Sequence, residues 1–297
     1  MFEFKNLNIV LILPALVVSI LLTSKLVIAD ENNWGYVYGA DTLPKGQSEL
    51  YLWATDRRHK ETGKYNAQDY QLELEHGFTD KLQGSVYLLG SSHEIKGSAP
   101  LDQNGNSEYG DINRNGITGT KASIKWNILS TYKDPIGLSL YLEPGYNNRF
   151  KISGEKQDEY SLEAKLILQK NFLDDTLLWA TNLTLEAERR KLKASGNNWE
   201  DELEVEVTSG LSYRFAPNWW AGAEMRYHSE YPDWRKTFER EHYAIFLGPN
   251  IHWGSEKYWA TLTYMENIVG APHAQDDIRH LREHERHEIR LKVGYNF

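Results

Sequence analysis

Three glutamates stand two residues apart at Glu202-x-Glu204-x-Glu206. In an extended strand, residues two apart share a face at a spacing of about 7 Å, so this stretch presents a column of carboxylates. The same arithmetic groups Glu73 with Glu75, Glu163 with Lys165, Glu186 with Glu188, Glu224 with Arg226, and Arg290 with Lys292. Carboxylates and cations in that pattern fit three chemistries: an ion-pair network packing a polar interior, a charged lining that selects small solutes, or an acid/base pair of carboxylates. Alternating carboxylates are what any wet lumen displays, so no catalytic residue is assigned. Arg190 and Arg226, on the neighbouring segments, are the cations placed to offset the column.

A second cluster lies near the C-terminus, where His273, His280, His284 and His287 mix with Asp276, Asp277, Glu283 and Glu285. Were residues 274–286 helical, His280, His284 and His287 would share a face at i, i+4 and i+7. Imidazole and carboxylate at that spacing can ligate zinc; the alternative is a solvated, charged loop. No H-E-x-x-H motif is present, so a metalloprotease is not indicated. Asp and Asn around glycine in the stretch 102–116 fit either calcium or simple turn chemistry, and the spacing is not that of an EF-hand. No cofactor is expected.

The elements that must position these side chains are strands. The last eleven residues alternate without a break: Ile289, Leu291, Val293, Tyr295 and Phe297 point one way, and Glu288, Arg290, Lys292, Gly294 and Asn296 the other. Segments of about 10 residues with this two-faced pattern, the length a tilted membrane strand needs, recur twelve times: Gln47–Asp56, Tyr70–Phe78, Leu82–Ser92, Ile117–Ile128, Gly137–Asn147, Tyr160–Phe172, Leu177–Arg190, Leu203–Phe215, Trp219–Ser229, Tyr243–Trp253, Tyr258–Glu266 and His287–Phe297. Tight connections such as Thr79-Asp80-Lys81 and Ala216-Pro217-Asn218 alternate with long polar ones such as 93–116 and 267–286. Aromatic residues cluster at both ends of the segments, Phe78, Trp126, Phe172, Phe215 and Phe297 at one and Tyr70, Tyr160, Tyr227 and Tyr243 at the other. Two aromatic belts and alternating loop lengths mark a closed transmembrane barrel and not a soluble sandwich. The fold class predicted is all-β: an antiparallel up-and-down transmembrane β-barrel of about twelve strands.

Composition agrees. The 297 residues include no cysteine, so neither a disulfide framework nor thiol chemistry is available. The one long apolar run, Leu7 to Leu22, lies at the N-terminus between Lys5 and Lys25, and Val27 and Ala29 suit a cleavage site. Residues 1–29 therefore read as a cleaved signal peptide, 30–46 as a periplasmic N-terminal segment and 47–297 as the barrel. The leader holds Lys5, Lys25 and Glu3, so a net charge of -9 becomes -10 without it. A balance that acidic argues against nucleic acid as a partner. The segment before Gln47, Trp34-Gly35-Tyr36-Val37-Tyr38 onward, is apolar enough to line the periplasmic mouth, enter the lumen as a plug or add a short strand.

Gly35 to Leu50 and the strand-turn-strand Glu75-His76-Gly77-Phe78-Thr79-Asp80-Lys81-Leu82-Gln83 resemble an uncharacterised family of Gram-negative outer-membrane barrels of porin-like type. The terminal aromatic strand ending in Phe297 likewise resembles the signal read by the barrel-assembly machinery. These resemblances imply an outer-membrane location, contact with its lipids and no named substrate. Tyr227-His228-Ser229-Glu230 is the nearest approach to the His and Ser-Asn-Gly of outer-membrane phospholipases; it lacks the Asn-Gly, and alternation turns His228 to the charged side. A non-enzymatic, narrow, passive channel for small solutes is the leading expectation. The alternatives are a closed barrel that is structural or binds through its outer loops, metal included, and, behind it, an outer-membrane enzyme.

Overall fold

A computed structural model describes residues 32–97, 110–193, 198–273 and 277–297. The regular elements among them are twelve β-strands: β1 (Ser48–Arg58), β2 (Lys64–Thr79), β3 (Leu82–Lys96), β4 (Ile112–Leu129), β5 (Gly137–Arg149), β6 (Lys156–Phe172), β7 (Leu177–Leu192), β8 (Glu200–Ala216), β9 (Trp219–Pro232), β10 (His242–Gly254), β11 (Tyr258–Ala271) and β12 (His287–Asn296). Each pairs with its neighbours in sequence, and β12 returns to β1 to close the barrel. At the seam Leu50 lies opposite Tyr295 and Arg58 opposite His287, all antiparallel. Ser48 and Phe297 complete it by exchanging two backbone N–H···O bonds of 2.9 Å. Closure removes every sheet edge, which a strand ending on an aromatic residue would otherwise expose.

The two faces separate as the alternation requires. In β2, Leu72 and Leu74 are exposed while Glu73 and Glu75 are buried in the lumen. In β8, Leu211, Tyr213 and Phe215 are exposed while Thr208 and Ser212 are buried. Moving one such leucine from water into hydrocarbon contributes about 1.5–3 kcal/mol, so a continuous apolar girdle fixes the register of every strand. The belts form cross-strand aromatic pairs, Tyr258 with Tyr295 at 5.1 Å at the short-turn end and Tyr146 with Tyr160 at 5.3 Å at the other.

All twelve expected strands are present, and most run further than a membrane crossing needs. β4 has 18 residues, beginning at Ile112 where the sequence pattern suggests Ile117, and β9 runs on to Pro232 past Ser229. The excess is on the long-loop side. Polar cross-strand pairs continue the ladder into water there, as where Lys64 on β2 meets Glu94 on β3 at 2.7 Å. Bilayer thickness sets the least length of a strand and not its limit. Residues 112–116 of the stretch considered for calcium therefore belong to β4, while 98–109 fall outside the described residues.

Leu183 lies midway along β7 with its side chain 44% exposed. Leu183→Arg should cost about 2–4 kcal/mol, the midplane penalty for a lipid-facing cation, read as a shifted midpoint in reversible unfolding from lipid vesicles.

Candidate functional site

The segment before β1 runs inside the barrel without joining the sheet. Its backbone is held by side chains of the inner wall. Glu224 on β9 accepts from the amides of Gly35 at 2.8 Å and Tyr36 at 2.7 Å. Asn182 on β7 accepts from Tyr38 N and donates to Tyr38 O, at 2.7 and 2.9 Å. Gln169 on β6 accepts from Ala40 N, and Gln83 on β3 from Leu43 N, each at 2.7 Å. Arg290 on β12 donates to Gly35 O at 3.1 Å and lies over the Tyr36 ring at 3.8 Å. Lys292 donates to Asn32 Oδ1 at 2.7 Å. Trp34, Tyr36, Val37 and Ala40 are buried as a result. Gly210 on β8 leaves the slot for the indole, since a Cβ there would lie 2.6 Å from Trp34 Nε1. Of the three places open to this segment, residues 32–41 take the lumen, and 42–46 pass over the short-turn rim, where Asp80 accepts from Thr42 Oγ1 and Lys45 N at 3.0 Å each.

Above the segment is a cavity of about 550 Å³, with Tyr36 and Tyr38 among its lining residues. Acidic side chains in that lining outnumber basic ones thirteen to nine. Their order is not random. Glu143 on β5 is paired in register with Glu163 on β6, Glu163 with Glu186 on β7, Glu186 with Glu204 on β8, and Glu204 with Glu230 on β9. Five adjacent strands thus carry one row of directly opposed glutamates, at the strand spacing of about 5 Å. Its inner end touches the packed layer: Tyr141 donates to Glu143, and the Tyr141 ring lies 5.5 Å from that of Tyr38. Its outer end, Glu230, is opposite His242, the first residue of β10.

Cations meet the row unevenly. Lys121 pairs with Glu143 at 2.8 Å, Lys165 with Glu163 at 3.1 Å, and His228 contacts Glu230 at 2.9 Å and Glu204 at 3.8 Å. Beside the row, Arg190 holds Glu202 at 2.6 Å, and Arg226 holds Glu288 at 2.5 Å with Glu206 at 3.9 Å. Glu186 and Glu188 make no ion pair among the described residues, and carboxylate oxygens of Glu186, Glu188 and Glu204 lie within 4.8 Å of one another.

The outer mouth is covered by the loop before β12. Arg57 binds Glu285, Asp69 at 2.7 Å and the Lys151 carbonyl at 2.7 Å. Burial works against the charge of Glu285, but Arg57, Lys60 and Lys151 more than offset it and hold its carboxyl well below the usual range. Burial, helped by Arg57, pushes the Lys60 ammonium down to about 8, against the pull of Glu285. His284 is held well below the ordinary imidazole value by burial and by the neighbouring His228 and His242.

The structure places every sequence-predicted lumen residue on the inner face. Glu73 and Glu75 sit low, where Ser85 donates to Glu75 at 3.1 Å. Glu163, Lys165, Glu186, Glu188, Glu204 and Glu206 line the cavity with Arg226 and Arg290, whereas Glu224 and Lys292 grip the N-terminal segment. The expected histidine triad does not form. The described part of that loop, 277–286, contains turns and bends and no helix. His280 and His284 still meet, at 5.7 Å between rings, but their third partner is His242, stacked on His280 at 4.8 Å. His287 starts β12 and pairs elsewhere, with Tyr264 and Glu266 at 2.8 Å each. His242 lies 38 residues from His280 along the chain, so only strand pairing could reveal it. At Tyr227-His228-Ser229-Glu230, Ser229 donates to Val205 O at 3.2 Å while His228 stands between glutamates, so the two form no dyad.

Residues 26–297 match the profile of the Family of unknown function (DUF6662). No curated protein sequence matches the chain. Among solved structures, the COG4313 outer membrane channel from Pseudomonas putida F1 is similar at 15% identity and a TM-score of 0.52, over 86% of this chain and 97% of that one. The beta domain of the Bordetella autotransporter BrkA is similar at 10% identity and a TM-score of 0.53, over 85% of this chain and 100% of that one. One fold thus serves a channel and an autotransporter, and at these identities the likeness shows an outer-membrane barrel fold and no activity.

Glu224→Ala removes the acceptor for two backbone amides and for Thr263 Oγ1 and Asn250 Nδ2, each at 2.8 Å from Oε1. Losing buried partners costs about 1–3 kcal/mol. Amide hydrogen exchange at Gly35 and Tyr36 should accelerate about 10-fold or more, while β-strand amides stay protected. Unchanged exchange at these two positions would show that other contacts hold the segment.

Proposed function

The chain belongs to this family of unknown function, which brings no activity with it, and from its own geometry we propose a narrow outer-membrane channel that takes small cationic solutes from the outer face. The observation that carries the reading is the glutamate row. It runs from the mouth at Glu230 to the packed layer at Glu143, and its middle member, Glu186, has no paired cation among the described residues. A low-dielectric wall with an excess of one sign of charge concentrates counter-ions at its surface. Hydrated small cations can step between carboxylates about 5 Å apart. Anions meet repulsion from the same row, relieved locally by Arg226 and Arg290.

In this reading residues 1–29 are a cleaved export signal and 32–41 a resident plug that the solute meets at Tyr38. Lipid surrounds the apolar face, and Phe297 presents the last strand to the assembly machinery. No step requires a catalytic group. The competing reading is a closed barrel that acts at its outer loops, favoured by the number of wall side chains that grip the plug.

Planar-bilayer recording of the refolded mature chain separates the two. Expected are small steps with cation-over-anion selectivity. Glu163→Gln, Glu186→Gln and Glu204→Gln together should lower that selectivity at least about 3-fold, since neutralising a charged lining removes the local excess of counter-ions. Deleting residues 32–43 should enlarge the steps. Absence of conductance from both the intact and the deleted chain would end the channel reading in favour of the closed barrel.

A further inference from the structure

At the outer end of the row, three elements bring nitrogen and oxygen ligands together: the start of β10, the loop before β12 and the end of β9. We propose that His242, His280 and Glu283, with Glu230 as fourth ligand, bind a divalent transition metal ion of the zinc class. One atom from each of His242, His280 and Glu283 falls within 4.8 Å of the others. The two imidazoles stack at 4.8 Å and 15° between planes. His242 Nε2 contacts Glu283 and lies 3.0 Å from Glu230 Oε2.

The surroundings orient the ligands as metal sites require. His280 Nδ1 is bonded to the Pro272 carbonyl. A carbonyl only accepts, so a proton is on Nδ1, which makes Nε2 the nitrogen that can offer a lone pair to an ion. That Nε2 is buried with no hydrogen bond, 3.7 Å from Glu283 Oε2. His242 Nδ1 is 3.1 Å from His284 Nε2, which leaves its own Nε2 for the ion. His228 Nε2 lies 2.9 Å from Glu230 Oε1, freeing Oε2. A histidine ligand held through its second nitrogen is the usual arrangement around a bound metal. Two imidazoles with carboxylates suit zinc and its neighbours and not the all-oxygen shells of calcium or magnesium. The ion would fasten the loop carrying His280 and Glu283 to β9 and β10, at the rim of the cavity. His284 is a positioning residue, not a ligand.

Zinc chloride titrated into the refolded barrel in detergent, followed by calorimetry and X-ray absorption, tests this. Expected is one ion per chain at micromolar concentration or tighter, with mixed nitrogen and oxygen ligands. His280→Ala, in a loop outside the strand ladder, should weaken binding more than about 100-fold, and His284→Ala about 10- to 100-fold as an outer-shell partner. Glu186→Gln with Glu188→Gln should leave it unchanged. Heat-modifiable migration on gels confirms that each variant is a folded barrel. No uptake at micromolar zinc, unaltered binding in both His280→Ala and His242→Ala, or loss in the Glu186/Glu188 pair would each overturn the proposal. It stands apart from the channel reading: a barrel that binds zinc and never conducts keeps this site and ends the other.

Discussion

Five carboxylates in register on five adjacent strands are the constraint to which the inner structure answers. Two like charges about 5 Å apart at an effective dielectric near 20 repel by on the order of 3 kcal/mol. A fold with a few kcal/mol to spare cannot carry four such contacts without compensation. The compensation is visible strand by strand. Lys121 reaches Glu143 from β4, Lys165 reaches Glu163 from within β6, and His228 sits beside Glu204 and Glu230 from β9. Arg226 and Arg190 bind the flanking acids on either side. What is left over is concentrated at Glu186 and Glu188, both of which line the cavity.

The N-terminal segment answers a different constraint, one of size. About eight strands close on their own side chains and about sixteen leave an open pore. Twelve leave a lumen too wide for wall side chains to fill and too narrow to ignore. Trp34, Tyr36 and Tyr38 fill part of it. Gly210 in the wall is the matching vacancy, for any larger residue would meet the Trp34 indole. The segment is therefore part of the packing, with Tyr36 bound through its hydroxyl to Glu288 at 2.6 Å and covered by Arg226 and Arg290.

Much of this was legible in the amino-acid order. The outward face obeys one rule, apolar every second residue, and that rule located twelve strands and their connections. The inward face was legible residue by residue but not in register. Nothing in the order of Glu143, Glu163, Glu186, Glu204 and Glu230 says that they align, because alignment depends on turn lengths and on bulges such as the one between Asn147 and Arg149. The histidine cluster failed for the same reason. Helical spacing suggested His287, whereas strand pairing supplied His242. Strand ends were missed because membrane thickness bounds a crossing and not the ladder that extends from it.

The lumen wall divides into two tiers that follow from what each must face. The tier around the segment is rich in neutral groups: Gln83, Asn127, Gln169, Asn182 and Asn250 present amides, each able to donate and accept. A backbone also donates and accepts, so amides can satisfy it wherever it passes; Glu224 adds charge where two N–H groups converge, and Arg290 and Lys292 add it where Gly35 O and Asn32 Oδ1 accept. The upper tier is ionic because it faces water, the one medium that solvates a row of carboxylates. The border between tiers falls at Tyr38 and Tyr141, where Glu143 begins the row. An amide wall satisfies a peptide group for group, since each side-chain amide both donates and accepts. A carboxylate tier covered by the same peptide would lose its solvation. The segment therefore belongs in the lower tier, while the row above it must stay wet.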